Sequence, residues 1–313
     1  MALLPCILGR VRVKSDRALG ASTSQLLVWW TAIRPRTLSM GAVPVLLGSA
    51  LAWAEGAAPL WGVFLATLAC ALLIQIGTNL HNDVADFERG ADRPDRIGPL
   101  RVTAAGWATP GSVKRAAAGC FGVALVLGLY LAWQGGWPIL AIGVPSLLAG
   151  WAYSGGKHPI SHSALGELFV LVFFGLLAVA GSHWLQSGSA SLSAWLGGAV
   201  VGLPAAAVLL VNNYRDRDAD LRNGRQTLAA RLGDAGARSA FAVMVLLPFV
   251  LAAGVAWSAH TGALLTLLAL PYALKLIPRL RREASGAQLN LLLGATAKLG
   301  LFLGLLLSIG VFL

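Results

Sequence analysis

Nine apolar segments divide the chain, at roughly 37–54, 60–80, 116–134, 138–153, 165–186, 193–213, 236–255, 259–277 and 290–313. A helix of about 20 apolar residues crosses a bilayer core of about 30 Å. Only two sizeable polar connections interrupt the pattern, residues 81–115 and 214–235. The expected fold is therefore all-α: a polytopic membrane protein with nine transmembrane helices. Gly41, Pro44, Pro145, Pro204 and Pro271 fall inside segments and predict local kinks around a cavity. The total of 37 glycines suits close helix packing in lipid.

Composition agrees with this layout. The chain is 57% hydrophobic and only 12% charged, with a mean hydropathy of +0.72; a soluble surface needs roughly 25% charged residues. In a soluble protein a net charge of +11 would suggest nucleic acid. Here it reads as a topology signal and as contacts for lipid or an anionic substrate, with no nucleic-acid partner. Place the N-terminus in the cytoplasm and let each segment cross once. Then 23 of the 24 Lys and Arg residues fall on the cytoplasmic side and none on the other, while Lys298 lies inside the last segment. Both polar connections are thus expected on the cytoplasmic face, and the C-terminus on the opposite side. Residues 1–28 carry an apolar start followed by Arg10, Arg12, Lys14 and Arg17, the reverse of a secretory signal. They read as a basic cytosolic tail, and residues 29–313 as one membrane-embedded domain. Cys6, Cys70 and Cys120 have no metal-ligand spacing and read as buried thiols.

The two polar connections hold the chemistry. The first, Asn79 to Arg101, contains five of the 13 acids, directly after an apolar segment. Clustered carboxylates at a membrane edge are costly unless they hold a cation. If the helix continues past Asn79, then Asn79/Asp83 and Asn82/Asp86 are i,i+4 pairs, and Asp83/Asp86 is an i,i+3 pair. Asp92 follows Gly90, where a break would let it fold back to the same point. In the second connection Asn212, Asp216 and Asp220 keep i,i+4 spacing, while Asp218 falls on the opposite, solvated face. His81 points off the Asp83/Asp86 face. Facing carboxylates near water suit Mg²⁺, which shares its shell with phosphates. Arg89, Arg93, Arg96, Arg101, Arg215 and Arg225 supply forks for such an anion. Acids, arginines and an apolar cavity together describe a site for a lipid with a diphosphate head. No P-loop or dinucleotide glycine pattern is present, and no Ser or Cys nucleophile constellation.

These motifs resemble the two aspartate-rich motifs of the UbiA superfamily of intramembrane aromatic prenyltransferases. Asn-Asp-x-x-Asp-x-x-x-Gly-x-Asp from Asn82 to Asp92, the following Asp95-Arg96-Ile-Gly98-Pro99-Leu-Arg101, and Asn212-Asn213-x-Arg215-Asp216-x-x-x-Asp220 are similar to its 1,4-dihydroxy-2-naphthoate polyprenyltransferase branch. Arg34-Pro35-Arg36-Thr37-Leu38 and Tyr153-Ser-Gly-Gly-Lys157 also look like family signatures. The resemblance covers about residues 29–313 and implies nine helices around a central cavity, capped by the polar loops, in the inner (plasma) membrane. It implies Mg²⁺ ligands at Asp83, Asp86, Asp92, Asp216 and Asp220. Substrate contacts are implied at Arg34, Asn79, Asn82, Arg96, Arg101, Asn212 and Asn213. Catalytic roles fall to Lys157 and Arg215 as cations beside the diphosphate, and to Tyr153 for orienting the acceptor. Lys298, about 12 Å into the last segment at 1.5 Å per residue, either contacts the acceptor carboxylate or a motif aspartate, or snorkels.

The activity implied is Mg²⁺-dependent transfer of a polyprenyl group from polyprenyl diphosphate to 1,4-dihydroxy-2-naphthoate, with decarboxylation, giving demethylmenaquinone. Within the same fold, 4-hydroxybenzoate or homogentisate are alternative acceptors. A cation-coupled transporter is the alternative from another class; it would place its acids near mid-membrane, whereas these lie at segment ends.

Overall fold

The computed structural model describes residues 24–90, 98, 100–157, 159–258, 260–282 and 286–313. Cys6, Asp92 and Arg96 lie outside the described residues. The helices are α1 (Gln25–Ile33), α2 (Pro35–Ala54), α3 (Trp61–Glu88), α4 (Pro110–Gly135) and α5 (Trp137–Ala152). Next, α6 (Gly166–Leu171) runs through a π turn, Val172–Leu176, into α7 (Leu177–Ser187). Then follow α8 (Leu192–Arg222), α9 (Leu228–Trp257), a 3₁₀ stretch Thr261–Ala269 leading into α10 (Leu270–Arg282), and α11 (Gly286–Gly310). Among the described residues eight of these spans are long and apolar enough to cross a membrane, and the shorter α5 is the ninth apolar helix. The protein is an all-helical, multi-pass membrane bundle.

Each apolar segment has its helix, and the differences lie at the ends. The helix α3 continues to Glu88 and α8 to Arg222, so Asn79 to Glu88 of the first motif and Asn212 to Asp220 of the second lie on helical extensions of spans. At its other end α9 starts early, at Leu228, and kinks at Gly233, whose φ is 64°. The eighth segment opens as a 3₁₀ helix. One further helix, α1, starts at Gln25, where the apolar pattern marks none; Ser24 caps it, accepting from Leu27 N at 3.3 Å. Side-chain caps also start α4 at Thr109, α8 at Ser191 and α9 at Thr227.

Lipid offers no hydrophobic drive between helices, so close packing holds them together. The central element is α8, buried along most of its span and packed on α2, α6, α9 and α11. At Gly48 of α2, an added Cβ would collide with the Val179 carbonyl oxygen and stand 2.8 Å from Ser182 Cβ. Where the π turn crosses α8, Gly175 and Gly202 touch: a Cβ on Gly202 would come within 2.9 Å of Gly175 Cα. Two cores result. A large one joins α2, α8, α9, α10 and α11; a smaller one joins α3, α4, α5 and α7 around Cys70, Ala124, Leu131 and Leu185. Between them the packing opens into a cavity.

At the end of the bundle away from the motifs, Glu55 ties several elements together. Its carboxylate accepts from the Ser191 hydroxyl at 2.8 Å and pairs with His183 Nε2 at 2.9 Å and His260 Nε2 at 3.4 Å. The second ring nitrogens reach the Ser189 carbonyl at 2.9 Å and the Val311 carbonyl at 3.3 Å. Burial pushes the Glu55 carboxyl up, but the Ser191 hydroxyl and His183 outweigh it, and its pKa lies below the ordinary 4.5. A carboxylate with a depressed folded pKa stabilises fully above its unfolded value and loses that effect as pH falls through the folded one. Glu55→Ala is therefore expected to cost about 1–3 kcal/mol near neutral pH. The difference from the parent in detergent thermal unfolding should shrink on acidification below pH 4.5. A constant difference would remove Glu55 ionisation from the account.

Candidate active site

The extended end of α3 presents two faces. Asn79 and Asn82 look into the cavity. Asp83, 1% exposed, looks the other way: it accepts Val102 N and Thr103 N at 3.1 Å each, and the Thr103 hydroxyl. These donors fill most of a carboxylate's acceptor sites. The structure therefore does not bring Asp83 to the same point as Asp86. An i,i+3 pair is offset by about 60° around the helix, and the offset places Asp83 under the returning chain. As a clamp on residues 102 and 103, Asp83 fixes the neighbouring Arg101. That buried guanidinium then lies on Asp86, Nη2 to Oδ2 at 2.5 Å, and donates to the Asn82 carbonyl at 3.1 Å.

The second motif sits on the extension of α8. Arg215 has a side chain only 1% exposed. It donates from Nε and Nη2 to Asp216 at 2.8 and 2.5 Å, from Nη2 to Asn212 Oδ1 at 2.9 Å, and from Nη1 to Asn290 Oδ1 at 2.6 Å. Asn213 points away from the cavity and donates to buried Glu167 at 2.9 Å. Asp218 is solvated, as its phase requires. After α8 the chain turns at Gly224, φ 71°, and Arg225 N returns to the Asp220 carbonyl at 2.9 Å. This turn sets the Arg225 guanidinium between the motifs, 3.5 Å from Asp220 Oδ1 and 3.7 Å from Asp86 Oδ1. Arg89, at the end of α3, reaches Asp86 at 3.9 Å and donates to the Ser154 carbonyl at 2.5 Å, fastening the α5–α6 connection.

Below this polar layer lies a cavity of about 380 Å³, within the usual range for small-molecule sites. Its rim carries Arg34, Thr37, Asn79, Asn82, Arg101, Tyr153 and Asn212; its walls include Ile74, Phe169, Phe173, Phe174 and Leu177. Arg34, at the α1–α2 junction, has φ 53° and is the one non-glycine residue with positive φ among the described residues. A left-handed conformation costs a non-glycine residue roughly 1–2 kcal/mol, and Pro35 excludes the ordinary helical alternative. Asn79 steadies the junction, donating to the Ile33 carbonyl and the Thr37 hydroxyl at 3.0 Å each.

The structure thus brings Arg34, Asn79, Asn82, Arg101, Tyr153 and Asn212 to one cavity. Asp86 joins them through Arg101, Asp216 through Arg215, and Asp220 through Arg225. It does not bring Lys157, which is exposed on the turn after α5. Nor does it bring Lys298. On α11 the inward stripe is Leu292, Thr296, Leu299 and Leu303, and Lys298 falls on the exposed face with Leu291 and Phe302. Glu167 and His162 are polar neighbours that the motif reading passes over. His162 lies on the α5–α6 connection, and its carbonyl accepts Gln226 N at 2.9 Å. Burial, with Arg225 nearby, pushes its imidazole down to about 4, so it is neutral at pH 7. A single acid opening an apolar segment was the sequence signal for Glu167.

The donor set fits Mg²⁺. Among the described residues no three acid, histidine or cysteine side chains form a ready-made cage. Asp86, Asp216 and Asp220 instead offer hard oxygens from two helices, too few to enclose an ion without water or phosphate, and Mg²⁺ favours that incomplete shell. The clamp is testable separately. Asp83→Ala leaves buried N–H donors unpaired, with an expected cost of about 1–3 kcal/mol and faster proteolysis between residues 90 and 109. Unchanged stability and proteolysis would refute the clamp.

Residues 42–309 match the model of the UbiA prenyltransferase family. The chain is 36% identical over 307 residues to the 1,4-dihydroxy-2-naphthoate octaprenyltransferase of Escherichia coli (strain K12), covering 93% of this chain and 96% of that one. It is 36% identical over 269 residues to the protein of the same name from Mycobacterium tuberculosis, covering 83% and 88%. Its fold is similar to that of a UbiA homolog from Archaeoglobus fulgidus bound to GPP and Mg²⁺, with a TM-score of 0.64 at 14% identity, covering 91% of this chain and 99% of that one. The matched span runs from within α2 almost to the end of α11 and takes in both acidic motifs, so the chain belongs to the UbiA prenyltransferase family.

Proposed function

We propose that this protein transfers a polyprenyl group from polyprenyl diphosphate to 1,4-dihydroxy-2-naphthoate. The ring carbon that bore the carboxylate takes the prenyl group, and carbon dioxide and pyrophosphate leave, giving the demethylmenaquinone skeleton. The observation that carries this reading is the junction of a polar rim, with Arg101 backed by Asp86 and Asn212 by Arg215 and Asp216, and an apolar chamber of about 380 Å³. One end suits a diphosphate, the other its hydrocarbon. The names of the bacterial relatives supply the acceptor.

In this reading Asp86, Asp216 and Asp220, with Asp92 of the first motif, would hold Mg²⁺, which when bound offsets charge on the leaving diphosphate. Arg101, Arg225 and Arg34 receive the diphosphate oxygens, where negative charge grows as the allylic C–O bond breaks. Phe169, Phe173 and Phe174, on the cavity wall, offer ring faces to the positive charge left on the prenyl carbon and exclude water from it. Asn79, Asn82, Tyr153 and Asn212 line the rim and orient the acceptor ring over that carbon. The assignment of 23 of 24 basic residues to alternate connections between the apolar segments supports a cytoplasmic site in the inner (plasma) membrane, with the C-terminus outside. Residues 29–313 form the membrane-embedded domain of this proposal, after a basic tail.

The test is a membrane assay offering 1,4-dihydroxy-2-naphthoate and 4-hydroxybenzoate in parallel. Expected are a prenylated 1,4-naphthalenediol, read as its quinone after oxidation in air, and Mg²⁺-dependent pyrophosphate release, which a transporter would not produce. Product from 4-hydroxybenzoate alone would overturn the acceptor. Asp86→Ala and Asp216→Ala should each lower transfer by about 10²-fold or more; survival of activity in either at saturating Mg²⁺ would overturn the metal assignment.

A further inference from the structure

The cavity does not stop below the rim. Along α3 its lining runs from Asn82 through Ile74 and Cys70 to Thr67, a depth of about 22 Å at 1.5 Å per residue. Cys70 Sγ lies 3.4 Å from the Ala124 carbonyl, so these residues mark one level, and Gly128 lies one turn of α4 deeper. The inward stripe of α4 includes buried Ala124 and Leu131, with Gly128 in phase between them. Across the chamber, α5 turns Ile139, Ile142, Ser146, Ala149 and Gly150 to the cavity, and Gly143 shares that face.

Both glycines line the cavity, and both have room. A Cβ added to Gly128 or Gly143 would meet no atom within 4 Å. The packing glycines differ: a Cβ at Gly48 or Gly175 would strike a neighbouring backbone. Even on the cavity wall, a Cβ at Gly150 would stand 3.0 Å from Thr78 Oγ1, and one at Gly181 would stand 3.3 Å from Ile142 Cδ1. Helix packing therefore gives no account of Gly128 and Gly143. A hydrocarbon that must pass them does.

We infer that Gly128 and Gly143 determine how long a prenyl tail the enzyme accepts, by keeping the deep end of the chamber open. This rests on the prenyl-transfer reading above. A side chain would fill the path about 15 Å below the rim at Gly143 and about 24 Å below it at Gly128, away from the groups that hold the diphosphate. Short donors end before reaching it, and long donors must cross it.

The experiment compares Gly128→Leu and Gly143→Leu with the parent, using donors of two, four and eight isoprene units and one acceptor. Leucine is the better helix former, and Gly128→Ala and Gly143→Ala provide milder variants should either leucine impair folding. Gly122→Leu, on the exposed outer face of α4, is the control. The expected result is a fall of about 10-fold or more in kcat/KM for the eight-unit donor, with the two-unit donor and the control unchanged and the alanine variants intermediate. A parallel loss for all donors would show a packing role, and no change for any would show that the tail takes another route. Either result overturns the inference while leaving prenyl transfer intact. A parent without transfer from any donor would instead refute the functional reading on which it rests.

Discussion

Asp86 is a buried carboxylate at the end of an apolar helix, and such a group is stable only when paired. Its partners come from far along the chain: Arg101 after the first motif and Arg225 after the second. To deliver them, the chain must return over α3 and α8 must end beside it. The Asp83 clamp on Val102 and Thr103, the Gly224 turn and the Arg89 tie to the α5–α6 connection all serve that convergence. The same guanidinium that lies between Asp86 and Asp220 joins two separate motifs into one charged layer.

Beneath this layer the architecture is asymmetric. Around α8 the helices pack so tightly that glycines meet across the crossings. Around α5 they do not: of its side chains only Ile139 is buried, and its inner face borders open space. The chamber follows from that imbalance between two cores. A polar rim held by charge pairs and an apolar chamber left by loose packing are features with separate physical origins.

Much of this was legible in the residues. Apolar runs and their lengths report local composition, and the bilayer converts composition directly into helices. The i,i+4 spacing of Asn82/Asp86 and of Asn212/Asp216/Asp220 likewise survives into the helical extensions. Other features were not legible. The short helix α1 has nine residues and lacks the length of a span. The phase of Lys298 is hidden because α11 is apolar on all sides, leaving no contrast to mark an inner face.

The sequence by itself determined an all-helical membrane bundle, two acidic motifs on one side, and the residue types for a cation and a diphosphate. Only the tertiary structure decided that Asp86 meets the second motif while Asp83 holds a loop, that Arg225 spans the gap, and that Lys157 and Lys298 stand outside the site. Helical periodicity states which residues share a face. What stands opposite that face depends on chain segments more than a hundred residues away, and no local pattern encodes it. The first motif is accordingly two devices in one helix end: Asp83 places the loop, and Asp86 meets the charge that the loop delivers.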